Sequence, residues 1–204
     1  MNYIVMINMS LHKFIIIVRR NRMLETLSLI GKKVNQTDIM WGVGGSLLLN
    51  FHHLIDKPND IDILVDEKNT TQFNSIMFSM AESQEAKSLK PFKTDFFSKY
   101  RMDQVTIDIM EGFAIEHSEG VYTLPINQES IVEYKKVEGV RIPLCSLEDW
   151  YILYWLIPNK QPKAILLENH FLKYGVKHPQ LLVKGLERPL PFELKQRIKK
   201  LLNI

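Results

Sequence analysis

Two aspartates separated by a single residue are the first groups in this sequence that could do chemistry. Asp60 and Asp62 flank Ile61 in an alternating stretch that ends at Val65. Side chains two residues apart in a β-strand point to the same face, so the two carboxylates should lie side by side. Carboxylates this close repel each other, and a bound Mg²⁺ removes the conflict because hard cations prefer oxygen ligands. The pair therefore predicts a metal site.

A third carboxylate occurs in a second predicted strand. Asp108 lies in an apolar stretch from Val105 to Met110 and points away from the aliphatic side chains on either side of it. An isolated aspartate in an apolar strand needs a polar partner. Sites in which two metal ions clamp the attacking and leaving oxygens need a further carboxylate. We therefore predict that Asp60, Asp62 and Asp108 share one metal site.

A glycine turn precedes these carboxylates. Gly44, Gly45 and Ser46 lie between a predicted strand (39–43) and a predicted helix (47–53), and thirteen residues separate Ser46 from Asp60. Glycines let a phosphate approach the main chain, and Ser46 can cap the helix or offer its hydroxyl group to a phosphate oxygen. The positive end of the helix points to the same place. The turn is predicted to bind nucleotide phosphates.

Each of these motifs has a plainer explanation when taken alone. A glycine pair between a strand and a helix is most often only a turn, and alternating polar residues often mark a half-exposed strand. The functional hypothesis depends on all three motifs occurring in this order and spacing. Other conspicuous groups are better explained by structure: His52 and His53 as surface residues, the aromatic residues of 150–155 as core, and the basic residues of 195–200 as a solvated helix end.

The glycine turn, the Asp60-Ile61-Asp62-Ile63 stretch and Asp108 together resemble the signature of the DNA polymerase β nucleotidyltransferase superfamily. The surrounding residues are similar to its small antibiotic-modifying members and to abortive-infection toxins, and the resemblance covers about residues 38–112. It implies a metal-dependent enzyme that uses Mg²⁺ or Mn²⁺. Such an enzyme transfers a nucleoside monophosphate from a nucleoside triphosphate, ATP in the first instance, to a hydroxyl or phosphate acceptor, and releases pyrophosphate.

The resemblance also implies a role for each residue. Asp60 and Asp62 would bind metal, and Asp108 would bind metal and help to deprotonate the acceptor hydroxyl, so that all three are catalytic. Gly45 and Ser46 would contact the triphosphate. Two departures leave the acceptor open between a small molecule, a tRNA and a protein. Pro58 and Asn59 replace the hydroxyl and basic residues of many toxins, and residues 160–163 read Lys-Gln-Pro-Lys where relatives often carry a Lys-Asp-x-x-Asp run.

The elements that must position these residues predict an α/β fold, with a small mixed β-sheet of nucleotidyltransferase type and a C-terminal helical subdomain. Helices are predicted at 21–34 and 70–80, and hairpins at 96–110 and 131–144. Four helices are predicted after residue 145, the first opened by a capping box at Ser146. We divide the chain into a peripheral N-terminal segment (1–20), a nucleotidyltransferase domain (21–145) and the helical subdomain (146–204).

Composition limits the alternatives. A formal net charge of +3 over 204 residues suits an anionic ligand but is too small to indicate a nucleic-acid binder. The single cysteine excludes an internal disulfide and a multi-cysteine metal site. The single cysteine also favours a reducing, cytoplasmic compartment, and the apolar N-terminal stretch lacks the length and purity of a membrane span and the layout of a secretory signal. A non-catalytic nucleotide-binding or regulatory protein of a toxin–antitoxin pair is the alternative, and the oligomeric state stays open.

Overall fold

The computed structural model describes residues 2–86 and 90–204, with side chains in the first helix described from residue 16 onward. The α-helices of this part of the chain are α1 (Asn2–Val34), α2 (Gly45–Phe51), α3 (Thr70–Phe78), α4 (Leu147–Leu156), α5 (Gln161–Tyr174), α6 (Pro179–Leu186) and α7 (Phe192–Leu202). The strands are β1 (Trp41–Val43), β2 (Ile61–Val65), β3 (Glu82–Gln84), β4 (Phe96–Met102), β5 (Val105–Glu111), β6 (Phe113–His117), β7 (Gly120–Leu124), β8 (Ile131–Val137) and β9 (Val140–Cys145).

Seven of these strands form one mixed sheet in the order β3-β4-β5-β2-β1-β9-β8. Strands β2 and β5 pair in parallel, and their register places Asp62 directly opposite Asp108. The isoleucines that alternate with these aspartates, Ile61, Ile63 and Ile107, are fully buried on the other face of the sheet. The predicted α/β fold with a mixed sheet and C-terminal helices is confirmed.

Helix α4 packs between the sheet and the other C-terminal helices, and nearly all of its residues are buried. Its N-terminus is fixed by Ser146, whose hydroxyl oxygen accepts a hydrogen bond from the Asp149 backbone N–H at 3.0 Å and donates to Asp149 Oδ2 at 2.8 Å. The predicted cap is therefore present. Because this end of α4 is held in place, the aromatic residues one turn later face the sheet in a defined position.

Helix α1 differs from the sequence prediction, and strands β3, β6 and β7 were not predicted. The predicted helix at 21–34 begins much earlier, at Asn2, because residues 3–20 contain no proline or glycine that would interrupt it. The expected boundary at residue 20 thus lies within α1, and the division into domains remains a prediction. The hairpin of β6 and β7 was not predicted at all. Among the described residues, no helix combines the length and the apolar character that crossing a membrane requires.

Helix α1 is bonded to the segment that leads into β2. The Arg20 Nε atom donates to Asn50 Oδ1 at 3.0 Å, and the Asn50 amide group donates to the carbonyl oxygens of Ile55 and Asp56 at 2.8 and 3.3 Å. The Arg19 guanidinium donates to the carbonyl oxygen of Asn59 at 2.7 Å. The residue before the first aspartate of the predicted metal site is therefore tied to this helix.

We expect Asn50→Ala to lower the free energy of unfolding by about 2 kcal/mol, because it removes three hydrogen bonds and leaves the part-buried carbonyl groups of Ile55 and Asp56 without this donor. Urea denaturation measures this loss. Mn²⁺ binding by the fraction that remains folded should also weaken, because the segment before Asp60 is no longer held. A change below about 0.5 kcal/mol would show that the contacts of Asn50 are dispensable.

Candidate active site

The three predicted metal ligands come together on one face of the sheet. Asp60 directly precedes β2, Asp62 lies within β2, and Asp108 lies within β5. One carboxylate oxygen from each residue lies within 4.8 Å of the other two, and all three side chains are partly buried. Within the described residues, this is the one cluster of three or more acidic, histidine or cysteine side chains with such spacing. Three oxygen donors at one point fit a hard divalent cation.

Electrostatic repulsion marks this cluster. The pKa of Asp62 lies well above its usual value, first because burial disfavours the charged form and then because Asp60 and Asp108 repel a third negative charge. Burial also raises the pKa of Asp108, although Lys99 Nζ lies 3.4 Å from its Oδ1 atom and opposes the shift. Without a cation, the cluster tends to hold a proton. Positive charge at this point would relieve the repulsion.

The glycine turn packs directly against these carboxylates. The Gly44 N–H donates to the carbonyl oxygen of Asp62 at 2.9 Å. Gly45 has a φ of +60°, and a Cβ atom at this position would lie 1.6 Å from Asp62 Oδ2. The Ser46 hydroxyl donates to Asp60 Oδ1 at 3.2 Å and accepts from the Asn59 N–H at 2.8 Å. The turn therefore supports the aspartates directly, while phosphate binding by its residues remains a prediction.

A cleft of about 310 Å³ opens above the cluster, between the sheet on one side and helices α4 and α5 on the other. Its described lining residues are Ser46, Asn59, Asp60, Asp62, Phe92, Thr94, Phe97, Asp108, Met110, Phe113, Trp150, Tyr154, Ile157, Lys160 and Lys163. Both the turn and the three aspartates thus border one cavity. An anionic ligand in this cleft would meet the two lysines.

Lys160 and Lys163 were not predicted as site residues. Both lie at the start of α5, where a positive charge opposes the helix dipole. This unfavourable placement is the feature of the sequence that could have identified them as site residues. The pKa of Lys163 is lowered, chiefly by burial and then by Lys160, whereas Asp62 and Asp60 oppose the shift. Its Nζ atom lies 5.1 Å from the centroid of the Tyr154 ring. The wall opposite the carboxylates is therefore basic.

The aromatic residues of α4 belong to the core, as predicted, and two of them also line the cleft. Trp150 and Tyr154 are each 3% exposed, with ring centroids 5.4 Å apart. A Cβ atom on Gly44 would lie 2.0 Å from the Trp150 ring, so glycine is needed there for α4 to approach the turn. The Tyr154 hydroxyl has no hydrogen-bond partner among the described residues. Helix α4 thus carries the wall that faces the aspartates.

The cleft also has an aromatic wall that the sequence does not predict. Phe92, Phe97 and Phe113 border the cleft on the β4 side. These residues belong to three different segments, which only the pairing of β4 with β5 and the unpredicted hairpin of β6 bring together. No motif in the sequence links them.

The histidines and the basic helix residues that were interpreted as structural lie outside the cleft. His52 Nε2 lies 3.9 Å from Glu133 Oε2, and the His53 side chain is exposed. In the basic stretch of α7, the Arg197 guanidinium bonds to Glu168 and Glu193, each at 3.1 Å. None of these residues lines the cleft.

Replacement of Gly45 tests whether the turn positions the carboxylates. Gly45→Ala and Gly139→Ala both place alanine at a positive φ, which costs about 1 kcal/mol. Only at Gly45 does the added Cβ atom also collide with Asp62, because nothing lies within 4 Å of the position at Gly139. We expect Mn²⁺ affinity to fall at least tenfold in Gly45→Ala alone. Equal Mn²⁺ binding by the two variants would contradict the positioning role.

Removal of the Asp62 charge tests the repulsion. A carboxyl group whose pKa is raised by folding contributes stability that is complete below its unfolded pKa of about 4 and is lost as the pH rises through the folded pKa. Asp62→Asn cannot ionise. In the presence of a chelator, we therefore expect the variant and the parent to have the same melting temperature at about pH 4. At about pH 8, the variant should have the higher melting temperature. Added Mg²⁺ should raise the melting temperature of the parent only; a pH-independent difference would argue against repulsion.

No protein-family model matches this chain, and no curated protein matches it. Solved structures do. A protein from Thermotoga maritima described as a candidate nucleotidyltransferase is 22% identical, covers 74% of this chain and 92% of its own, and has a TM-score of 0.56. ANT(2'')-Ia in complex with adenylyl-2''-tobramycin is 12% identical, covers 83% of this chain and 96% of its own, and has a TM-score of 0.50. The fold expected from the resemblance is confirmed: this chain has the nucleotidyltransferase fold.

Proposed function

We propose that this protein is a metal-dependent nucleotidyltransferase, which transfers a nucleoside monophosphate from a nucleoside triphosphate to a hydroxyl or phosphate acceptor. The observation that carries the proposal is the arrangement of Asp60, Asp62 and Asp108, whose oxygens lie within 4.8 Å of one another beside an open cleft. The fold supports it. ATP is the favoured nucleotide, since the similar ANT(2'')-Ia structure contains an adenylylated antibiotic.

The two walls of the cleft would bind different parts of the metal–nucleotide complex. Asp60, Asp62 and Asp108 would hold Mg²⁺ or Mn²⁺, and a cation there supplies positive charge against the charge that builds on the α-phosphate. Gly44, Gly45 and Ser46 would bind the phosphates from the sheet side, as the sequence predicts. From the opposite wall, Lys160 and Lys163 would offset the charge of the triphosphate.

The transfer exchanges one bond for another. The acceptor hydroxyl oxygen forms a bond to the α-phosphorus, and the bond from that phosphorus to the oxygen bridging to the β-phosphate breaks. The electron pair of the broken bond leaves with pyrophosphate. The hydroxyl proton passes to the Asp108 carboxylate and then to solvent. Asp108 is placed for this task by the strand register, which holds it opposite Asp62 and beside the cleft.

A non-catalytic nucleotide-binding protein would use the same turn and the first two aspartates. It would have no need of Asp108, which is held opposite Asp62 by the register of two buried strands. The partly buried carboxylate of Asp108 adds to the repulsion on Asp62. A charge retained at such a position favours catalysis over binding alone.

Product formation tests the proposal. The parent protein incubated with Mg²⁺, ATP labelled at the α-phosphate and a panel of hydroxyl compounds should release pyrophosphate and label an acceptor. Asp108→Asn should lower this rate by about 10³-fold, because the acceptor loses its base and the site loses a ligand. Mg-ATP should still raise the melting temperature of the variant, by an amount that follows from its remaining affinity.

Asp103→Asn is a matched control. Asp103 lies in the exposed turn of the same hairpin at a φ of +52°, a conformation that asparagine tolerates, so this variant should keep parental activity. If Asp108→Asn is as active as Asp103→Asn, Asp108 has no catalytic role. If Mg-ATP leaves the melting temperature of the parent unchanged, the nucleotidyltransferase proposal fails.

A further inference from the structure

The direction from which the acceptor approaches follows from the proposed function, on which this inference rests. In such transfers the attacking and leaving oxygens lie roughly in line across the phosphorus atom. If pyrophosphate leaves toward Gly45 and Ser46, the acceptor oxygen arrives from the opposite side of the aspartate cluster. In the sheet, that side is Asp108 on β5 and, beyond it, strand β4. The acceptor should therefore lie against β4 and its neighbours.

An aromatic wall occupies this side of the cleft. Phe97 lies on β4, and Lys99 Nζ lies 5.9 Å from its ring centroid and 3.4 Å from Asp108 Oδ1. The wall therefore begins next to the proposed base. Phe92 and Phe113 extend it, with ring centroids 6.0 Å apart. Rings in this arrangement bind flat apolar groups by stacking or by edge-to-face contact.

The charges of the cleft restrict the acceptor further. Among its described lining residues, the acidic ones are the three aspartates that the proposed function assigns to metal. A polycationic acceptor would therefore find no other carboxylate in the described lining of the cleft, and on the β4 side it would lie close to the positive charge of Lys99. A nucleic acid binds through a series of phosphate contacts, and the two lysines that line the cleft, Lys160 and Lys163, are too few for that. A small, uncharged molecule meets neither difficulty.

We propose that the acceptor is a small, neutral hydroxyl compound with an aromatic body, which packs against Phe92, Phe97 and Phe113 and presents its hydroxyl group to Asp108. The aromatic wall selects the class of acceptor, while the aspartates and the glycine turn bind the metal and the nucleotide. The product is the adenylyl ester of that hydroxyl group together with pyrophosphate.

The experiment uses 2-naphthylmethanol as the aromatic probe, with tobramycin and unfractionated tRNA as the alternative acceptors. Binding of 2-naphthylmethanol is measured by its fluorescence in the presence of Mg²⁺ and a non-hydrolysable ATP analogue. Label transfer from α-labelled ATP is then followed for all three compounds. We expect saturable binding of the naphthyl compound and label transfer to it, with little or no transfer to tobramycin or tRNA.

Two substitutions in the wall and one beside it give the structural test. Phe97→Ala and Phe92→Ala should each weaken naphthyl binding about tenfold, because each removes one face of the aromatic contact. Affinity for Mg-ATP should stay unchanged in both. Phe96→Ala is the matched control, since Phe96 adjoins Phe97 on the same strand but is 57% exposed and does not line the cleft. It should bind the probe as the parent does.

The possible failures are distinguishable. If Mg-ATP binds but the naphthyl compound shows no saturable binding, or binds equally well to Phe97→Ala and Phe92→Ala, the aromatic acceptor site is wrong and the nucleotidyltransferase proposal stands. Preferred labelling of tobramycin or tRNA also overturns the inference. If both phenylalanine variants lose Mg-ATP affinity together with naphthyl affinity, the wall holds the nucleobase instead.

Discussion

Repulsion between three carboxylates is the constraint around which this molecule is arranged. Asp60, Asp62 and Asp108 bring negative charges within 4.8 Å of one another, and partial burial weakens the screening that water would provide. Without a proton or a cation to relieve the repulsion, such a cluster lowers the stability of the folded chain. The neighbouring elements can be understood as the parts that hold the charges together against this repulsion.

The supports come from both neighbours of β2 in the sheet. From the β1 side, the Ser46 hydroxyl bonds to Asp60, and the main chain at Gly44 bonds to that of Asp62. From the other side, the register of β2 and β5 places Asp108 beside its partner. Helix α1 adds a third support through Arg19, which holds the segment before Asp60. A site built on rigid elements in this way is positioned before any ligand arrives.

The sequence predicts the carboxylate cluster better than the rest of the cleft. Alternation of aspartate with isoleucine reports directly on which face each side chain occupies, so Asp62 and Asp108 could be placed without a structure. The aromatic wall could not be, because Phe92, Phe97 and Phe113 share no periodic pattern and meet only through the tertiary pairing of separate segments. Lys160 lies at the beginning of a helix, where a positive charge is unfavourable, and this placement suggests a special role. It does not show, however, that the side chain faces the cleft.

The parallel pairing of β2 with β5 has a consequence for how the molecule folds. Forty-five residues separate Asp62 from Asp108, and α3, β3 and β4 are formed from this intervening chain. A parallel pair that closes so long a loop loses chain entropy before its contacts are made, and such pairings form slowly. In the unfolded chain, Asp108 is therefore far from the Asp60 and Asp62 pair. The cluster of three carboxylates exists only in the finished sheet, so a cation that needs all three would stabilise the native state and scarcely the path that leads there.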